Sequence, residues 1–127
     1  TVEDLMLTGT KIPFVKENLK MESALKIISE KKFGVLVVKN KKGLTSGITV
    51  DGDIKRAIQK NKDFQELSVK DVMTKNPISV RSDTLAVKAL SIMNSKKITS
   101  LCVHNNKNKK KTIGILHIHT ILEANIQ

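Results

Sequence analysis

Ser23-Ala24-Leu25-Lys26-Ile27-Ile28-Ser29-Glu30-Lys31-Lys32 returns 65 residues later as Lys88-Ala89-Leu90-Ser91-Ile92-Met93-Asn94-Ser95-Lys96-Lys97. Two copies of one supersecondary unit define an architecture before any propensity is weighed, because each copy has an apolar face that it cannot bury alone. The match runs outward from there. Val2-Glu3-Asp4-Leu5-Met6 recurs as Val69-Lys70-Asp71-Val72-Met73, Leu36-Val37-Val38 as Leu101-Cys102-Val103, and Gly47-Ile48 as Gly114-Ile115. The offset moves between 65 and 67 because the first copy is longer between Met6 and Val15 and the second between Val103 and Gly114. Both places read as surface loops, where insertions are tolerated. The duplication divides the chain at 1–66 and 67–127 and predicts a cleft between like units, the kind of place where small ligands bind.

One copy can be read as structure. Ile12-Pro13-Phe14-Val15 is a short apolar run with Pro at its start, which suits a brief edge strand. Met21, Ala24, Leu25 and Ile28 follow an i, i+3, i+4, i+7 spacing and predict an amphipathic helix. Val35-Leu36-Val37-Val38 is continuous and β-branched, the pattern of a strand buried on both faces. A turn from Lys39 to Gly43 leads to a strand near Gly47 to Val50, and Asp51-Gly52-Asp53 opens a helix through Ala57-Ile58. The second copy repeats this β-α-β-β-α order with Ile78-Ser79-Val80, a helix from Leu85 to Ser95, strands Ser100 to Val103 and Ile113 to His117, and a helix from His119 to Asn125. The expected fold class is α/β of the α+β kind: two three-stranded sheets, each with two helices, packed sheet to sheet with pseudo-twofold symmetry.

The 127 residues are enough to bury a core without disulfides. Cys102, the single cysteine, cannot form an internal bridge and reads as a small core thiol, which fits a reducing cytoplasm. No apolar run approaches the ~20 residues that span a bilayer. The absence of an initiating Met, with a motif beginning at Val2, suggests a piece of a longer protein. The net charge of +11 raises nucleic acid as a partner, but the lysines gather in Lys39-Asn40-Lys41-Lys42 and Lys107-Asn108-Lys109-Lys110-Lys111, at equivalent turns of the two copies. With 2% aromatic residues and neither Trp nor Tyr to stack on bases, such turns attract polyanions without reading sequence. Phosphorylated small molecules are drawn to the same charge.

The residues resemble a CBS-domain pair, the Bateman module that senses nucleotides in many enzymes and channels. Val69-Lys70-Asp71-Val72-Met73-Thr74 followed by Pro77 is similar to the family's opening motif. Gly47-Ile48-Thr49-Val50-Asp51-Gly52-Asp53-Ile54 is similar to its closing strand-to-helix motif. More narrowly, Leu5 to Pro13, Asp51 to Arg56, Ile98-Thr99-Ser100 and Gly114 to His119 resemble the C-terminal CBS pair of bacterial arabinose-5-phosphate isomerases. That resemblance implies an upstream sugar-isomerase (SIS) domain converting ribulose 5-phosphate to arabinose 5-phosphate on the route to Kdo and lipopolysaccharide. It also implies a homodimer formed through CBS pairs and a regulatory nucleotide, CMP-Kdo or another cytidine or adenosine nucleotide, in place of a catalytic cofactor. Aldose–ketose isomerisation needs a base and an acid placed around a sugar phosphate, and these residues offer no such set, so the chain is expected to be catalytically silent.

In family members that bind adenosine nucleotides, the closing motif's Asp takes the ribose hydroxyls and its Thr or Ser lies near the phosphates. Asp53 matches the Asp, whereas Val50 stands at the hydroxyl position and departs from it. In the second copy the corresponding residues are His117 and Thr120. Asp51 and Asp53 also suit the N-terminus of a helix through its dipole, and Lys55 and Arg56, one turn on, can reach a phosphate. His117 and His119 alternate at a strand end and share a face. Two imidazoles without a nearby Cys, Asp or Glu make a weak zinc site, so no metal is assigned and a ligand contact is the sharper expectation. His104, before the lysine-rich turn, is expected to be exposed. The copies agree at core positions and differ at Val50/His117 and Asp53/Thr120, so one asymmetric ligand site is expected.

Overall fold

The runs of branched apolar residues become strands, and the 3.6-residue periodicities become helices. The computed structural model describes residues 1–31, 33–60 and 63–124, so the expected helix end at Asn125 lies outside the described residues. In chain order the elements are α1 (Val2–Leu5), β1 (Phe14–Lys16), α2 (Met21–Glu30), β2 (Val35–Lys39), β3 (Thr45–Val50), α3 (Asp51–Lys60), α4 (Val69–Val72), β4 (Thr74–Lys75), β5 (Ser79–Arg81), α5 (Ala86–Lys96), β6 (Ser100–His104), β7 (Thr112–His117) and α6 (Ile118–Glu123). Each copy shows the β-α-β-β-α order, and α1 and α4 are added where the opening motif stands in each copy. This is a mixed α+β fold with two small sheets.

The chain forms two compact units, and they are cut differently from the sequence repeats: one holds residues 13–77, the other residues 1–12 with 78–127. In the first, the sheet order is β1-β2-β3-β4, with β1 parallel to β2 and the remaining pairs antiparallel. The fourth strand was not expected. It is the opening segment of the second copy, with Thr74 and Lys75 pairing to Ile48 and Gly47. Met21, Ala24 and Ile28 of α2 turn inward onto Leu36 and Val38, and Ile54, Ala57, Val69 and Val72 complete the cluster. The 3₁₀ turn Phe64–Glu66 adds Phe64.

In the second unit β5 runs parallel to β6 and β7 antiparallel to it. Here the opening segment of the first copy takes the place that β4 has in the other unit. Leu7 N–H donates to the Ile115 carbonyl at 2.9 Å, and the return bond is 3.1 Å. Val2, Val80, Ala89, Met93, Leu101, Val103, Leu116 and Ile121 form its core. Every residue of β6 is buried, as is every residue of β2 up to Val38, the double-sided burial expected of continuous apolar strands.

A pair of glycines explains how the opening segments come so close. A Cβ on Gly47 would lie 2.6 Å from Met73 Sδ and 2.7 Å from the Thr74 carbonyl. Gly114 has the same relation to Met6 in the other unit, where an added Cβ would overlap the thioether. Only a residue without a side chain lets the methionine lie flat on the strand at these points. Among the described residues no helix is long and apolar enough to cross a membrane.

Candidate functional site

The closing motif folds so that a carboxylate sits at the start of α3. Its β3 half alternates buried and half-buried residues from Thr45 to Val50, and the helix begins directly at Asp51. Asp53 occupies the first turn, only 5% exposed, and reaches back: its Oδ2 accepts the Val50 N–H at 2.9 Å. That bond satisfies a backbone donor that the helix itself cannot. Oδ1 accepts two more donors, the Thr74 hydroxyl at 2.6 Å and the Arg56 guanidinium at 2.7 Å. A carboxylate offers about four lone-pair directions, so three donors hold it rigidly and leave it one acceptor position. The two neighbours are unequal, since the Arg56 side chain is 61% exposed while that of Asp53 is 4% exposed. Arg56 is therefore the partner that can swing away.

The other expected residues of this unit divide around that centre. Asp51 is exposed, its carboxylate lying against the backbone of Gly34: a Cβ there would stand 3.3 Å from Oδ2, and Gly34 carries a left-handed φ of +61°. Lys55 is exposed and Val50 half-buried, contributing its N–H to Asp53 instead of a side-chain hydroxyl. Thr49, one residue earlier, is completely buried, and its Oγ1 has no hydrogen-bond partner in the structure. Neither Thr49 nor Thr74 was singled out from the sequence. Thr74 belongs to the opening motif of the other repeat, and only the β3–β4 pairing brings it to Asp53.

In the second unit the equivalent positions hold a different set. His117 closes β7 and is also the N-cap of α6, its Nδ1 accepting the His119 N–H at 3.1 Å. The rings are 4.8 Å apart and inclined by 39°. The two histidines do come together, but the reason differs from strand alternation: α6 starts at Ile118, so His119 is in its first turn. Burial, and after it the proximity of His119, lowers the pKa of His117 below the usual imidazole value. The cap requires the same neutral state, because Nδ1 must keep its lone pair. Thr120 lies within α6 and is half-buried. Ser100, directly opposite His117 in the β6–β7 ladder, is 4% exposed with an unpartnered hydroxyl.

His104 corrects an expectation, for it is buried at 9% exposure and shares a hydrogen bond with the Ser79 hydroxyl. Ser79 stands on β5 beside β6, and its hydroxyl gives the imidazole a reason to leave water. Desolvation, with Lys109 and Arg81 adding like charge, lowers its pKa. Burial pushes the Cys102 thiol up to about 11. Among the described residues no three His, Cys, Asp or Glu side chains are grouped to hold a metal ion.

Comparison with known proteins accounts for this arrangement. The family model described as "CBS domain" matches residues 2–60 and again 69–126. Arabinose 5-phosphate isomerase KdsD of Escherichia coli K12 is 38% identical over 125 residues, which are 98% of this chain and 37% of the relative. KdsD of Pseudomonas aeruginosa is 34% identical over 98% of this chain and 38% of its own length. The chain thus spans somewhat over a third of the curated relatives it matches. Among solved structures, CBSX2 in complex with AMP superposes with a TM-score of 0.82 at 28% identity, covering 98% of this chain and 95% of the other. The CBS-domain protein ATU1752 of Agrobacterium tumefaciens gives 0.85 at 21%, over 98% and 90%, a likeness of fold. The two matches cover both sequence copies almost end to end, and the chain belongs to the CBS-domain family as a tandem pair.

Proposed function

We propose that this pair is the regulatory, nucleotide- or nucleotide-sugar-sensing part of an arabinose-5-phosphate isomerase, whose catalytic SIS domain is not within these 127 residues. The likeness to KdsD supports the parent enzyme, and the AMP carried by CBSX2 supports the ligand class. The observation that carries the reading is Asp53: a buried carboxylate fixed by the Val50 N–H and the Thr74 hydroxyl, with an exposed Arg56 resting on it. Ribose hydroxyls would replace the guanidinium on Oδ1, and Arg56 would turn to the phosphate, where its planar fork suits the oxygens. Lys55 would add charge from the same helix turn. In the other unit His117, His119 and Thr120 stand at the matching strand-to-helix junction, a separate candidate contact without a carboxylate. CMP-Kdo, as the activated sugar to which the isomerase's product leads, is the first nucleotide to test.

Calorimetric titration of the chain with CMP-Kdo, CMP, AMP and ATP tests this. Binding of one of them, weakened at least tenfold by Asp53→Asn and less by Arg56→Ala, is the expected result; silence with all four overturns the sensing role. A second reading has its own observation. Asp53 is already engaged by its own protein, and the matching pair in the other unit is Thr120 with Leu7, neither acidic, as in a module kept for assembly of a homodimer. Sedimentation distinguishes the readings: a dimer indifferent to every nucleotide supports assembly.

A further inference from the structure

The lysine turn of the first copy is more than a solvated tip. Lys16, Glu17, Asn18, Lys39, Asn40 and Lys41 surround a cavity of about 410 Å³, within the range of small-ligand sites. Lys16 and Lys39 are register partners at the ends of β1 and β2, so two ammonium groups start from adjacent strands. Lys39 is preset, its Nζ lying 3.7 Å from the Phe14 ring centroid, which lowers the entropy of holding it for a ligand. The Asn40 side-chain oxygen Oδ1 accepts the N–H groups of Lys42 and Leu44, which leaves the side-chain Nδ2 donors for an acceptor. Three cations and one carboxylate, Glu17, give the lining about two net positive charges. A phosphomonoester carries roughly −1.5 to −2 near neutrality, so the charges match.

The duplicate serves as an internal control. At the position of Lys16 it has Arg81, which is closed by its own Asp83 through Nε at 3.2 Å and Nη2 at 2.9 Å. Where Lys39 stands it has His104, bound to Ser79. Asn18, the counterpart of Asp83, supplies no such carboxylate. In the second copy Arg81 is paired with Asp83 and His104 replaces Lys39, whereas the first copy keeps Lys16, Lys39 and Lys41 around an open cavity.

We propose that this cavity binds the phosphate group of a small phosphorylated metabolite, at a second site remote from Asp53. In the β2–β3 ladder Val35 faces Val50 and Lys39 faces Thr45. The four residue steps from Val35 to Lys39 place the cavity on the order of 13 Å along the sheet from the start of α3.

Amide chemical shifts of the 127-residue chain, followed by NMR during titration with ribose 5-phosphate, inorganic phosphate and ribose, test the assignment. Saturable shifts at residues 16–18 and 39–41 with both phosphates, and none with ribose, are expected. The double variant Lys39→Gln/Lys41→Gln should lose affinity at least tenfold, Lys16→Gln should weaken it from the neighbouring strand, and Lys109→Gln/Lys110→Gln should leave it unchanged. Lys16, Lys41, Lys109 and Lys110 are exposed and Lys39 is half-buried, and thermal melts verify that each variant folds. Shifts spread equally over residues 107–111, equal affinity in the Lys39/Lys41 variant, or binding of duplex DNA without binding of ribose 5-phosphate would each overturn the proposal.

Discussion

Thr74 donates its hydroxyl proton to Asp53 at 2.6 Å across 21 residues of sequence, joining the opening motif of one repeat to the closing motif of the other. The matching positions in the second unit are Leu7 and Thr120, so donor and acceptor have been lost together there. A hydrogen bond to a charged acceptor contributes about 1.5–3 kcal/mol, and the exposure of Thr74 puts this one toward the low end of that range. Thr74→Val keeps the shape and removes the donor. It should lower stability by about 1–2 kcal/mol in urea unfolding, and the equivalent Leu7→Val should show no comparable polar loss. A Thr74→Val change below about 0.3 kcal/mol would mean that Arg56 and Val50 hold Asp53 without it.

The buried strands were legible because Leu36-Val37-Val38 and Leu101-Cys102-Val103 permit no solvent-facing side, and both proved buried throughout. Asp53 was legible through its place in a motif. Thr74 was not, since its role depends on β4 joining a sheet whose other strands come from the other repeat. His104 misled for a related reason. The residues that follow it are polar, and only the parallel strand β5 supplies the Ser79 that draws it inward.

Gly47 and Gly114 yield a prediction that tests the shared seating of Met73 and Met6. Adding one methyl at Gly47 meets the Thr74 backbone as well as the flexible thioether, so strand β4 must shift. Overpacking of this kind costs about 1–3 kcal/mol. Gly47→Ala should destabilise by that amount and also disturb the Asp53–Thr74 bond, readable as a changed Thr74 amide shift. In Gly47→Ala/Met73→Ala the thioether is gone but the carbonyl contact remains, so only part of the loss should return. Full recovery would show that the methionine alone sets the fit.

Thr49 and Ser100 keep buried hydroxyls unpartnered, and such groups cost about 1–3 kcal/mol relative to a satisfied or apolar one. Thr49→Val, an isosteric exchange, should therefore stabilise the chain by up to about 1 kcal/mol in thermal unfolding. If the hydroxyl is retained for a ligand, the same variant should bind the nucleotide found by calorimetry more weakly. Stabilisation with unchanged affinity would assign Thr49 to packing alone.

His117 sets a pH dependence with a definite sign. Its folded pKa lies below the unfolded value of about 6.5, first because of burial and then because of His119. The folded state consequently binds fewer protons than the unfolded one. Stability should be level above about pH 7, fall as pH descends through 6.5, and level again below the folded pKa. His104 is lowered in the same direction and adds to the same slope, so the decisive measurement is a difference. His117→Asn preserves a side-chain acceptor for the His119 N–H at the N-cap of α6 but removes the titration. Urea unfolding from pH 8 to pH 5 should show a shallower decline in the variant, the remaining slope belonging to His104. Identical slopes in the two proteins would mean that the imidazole of His117 takes up its proton as readily in the folded chain as in the unfolded one.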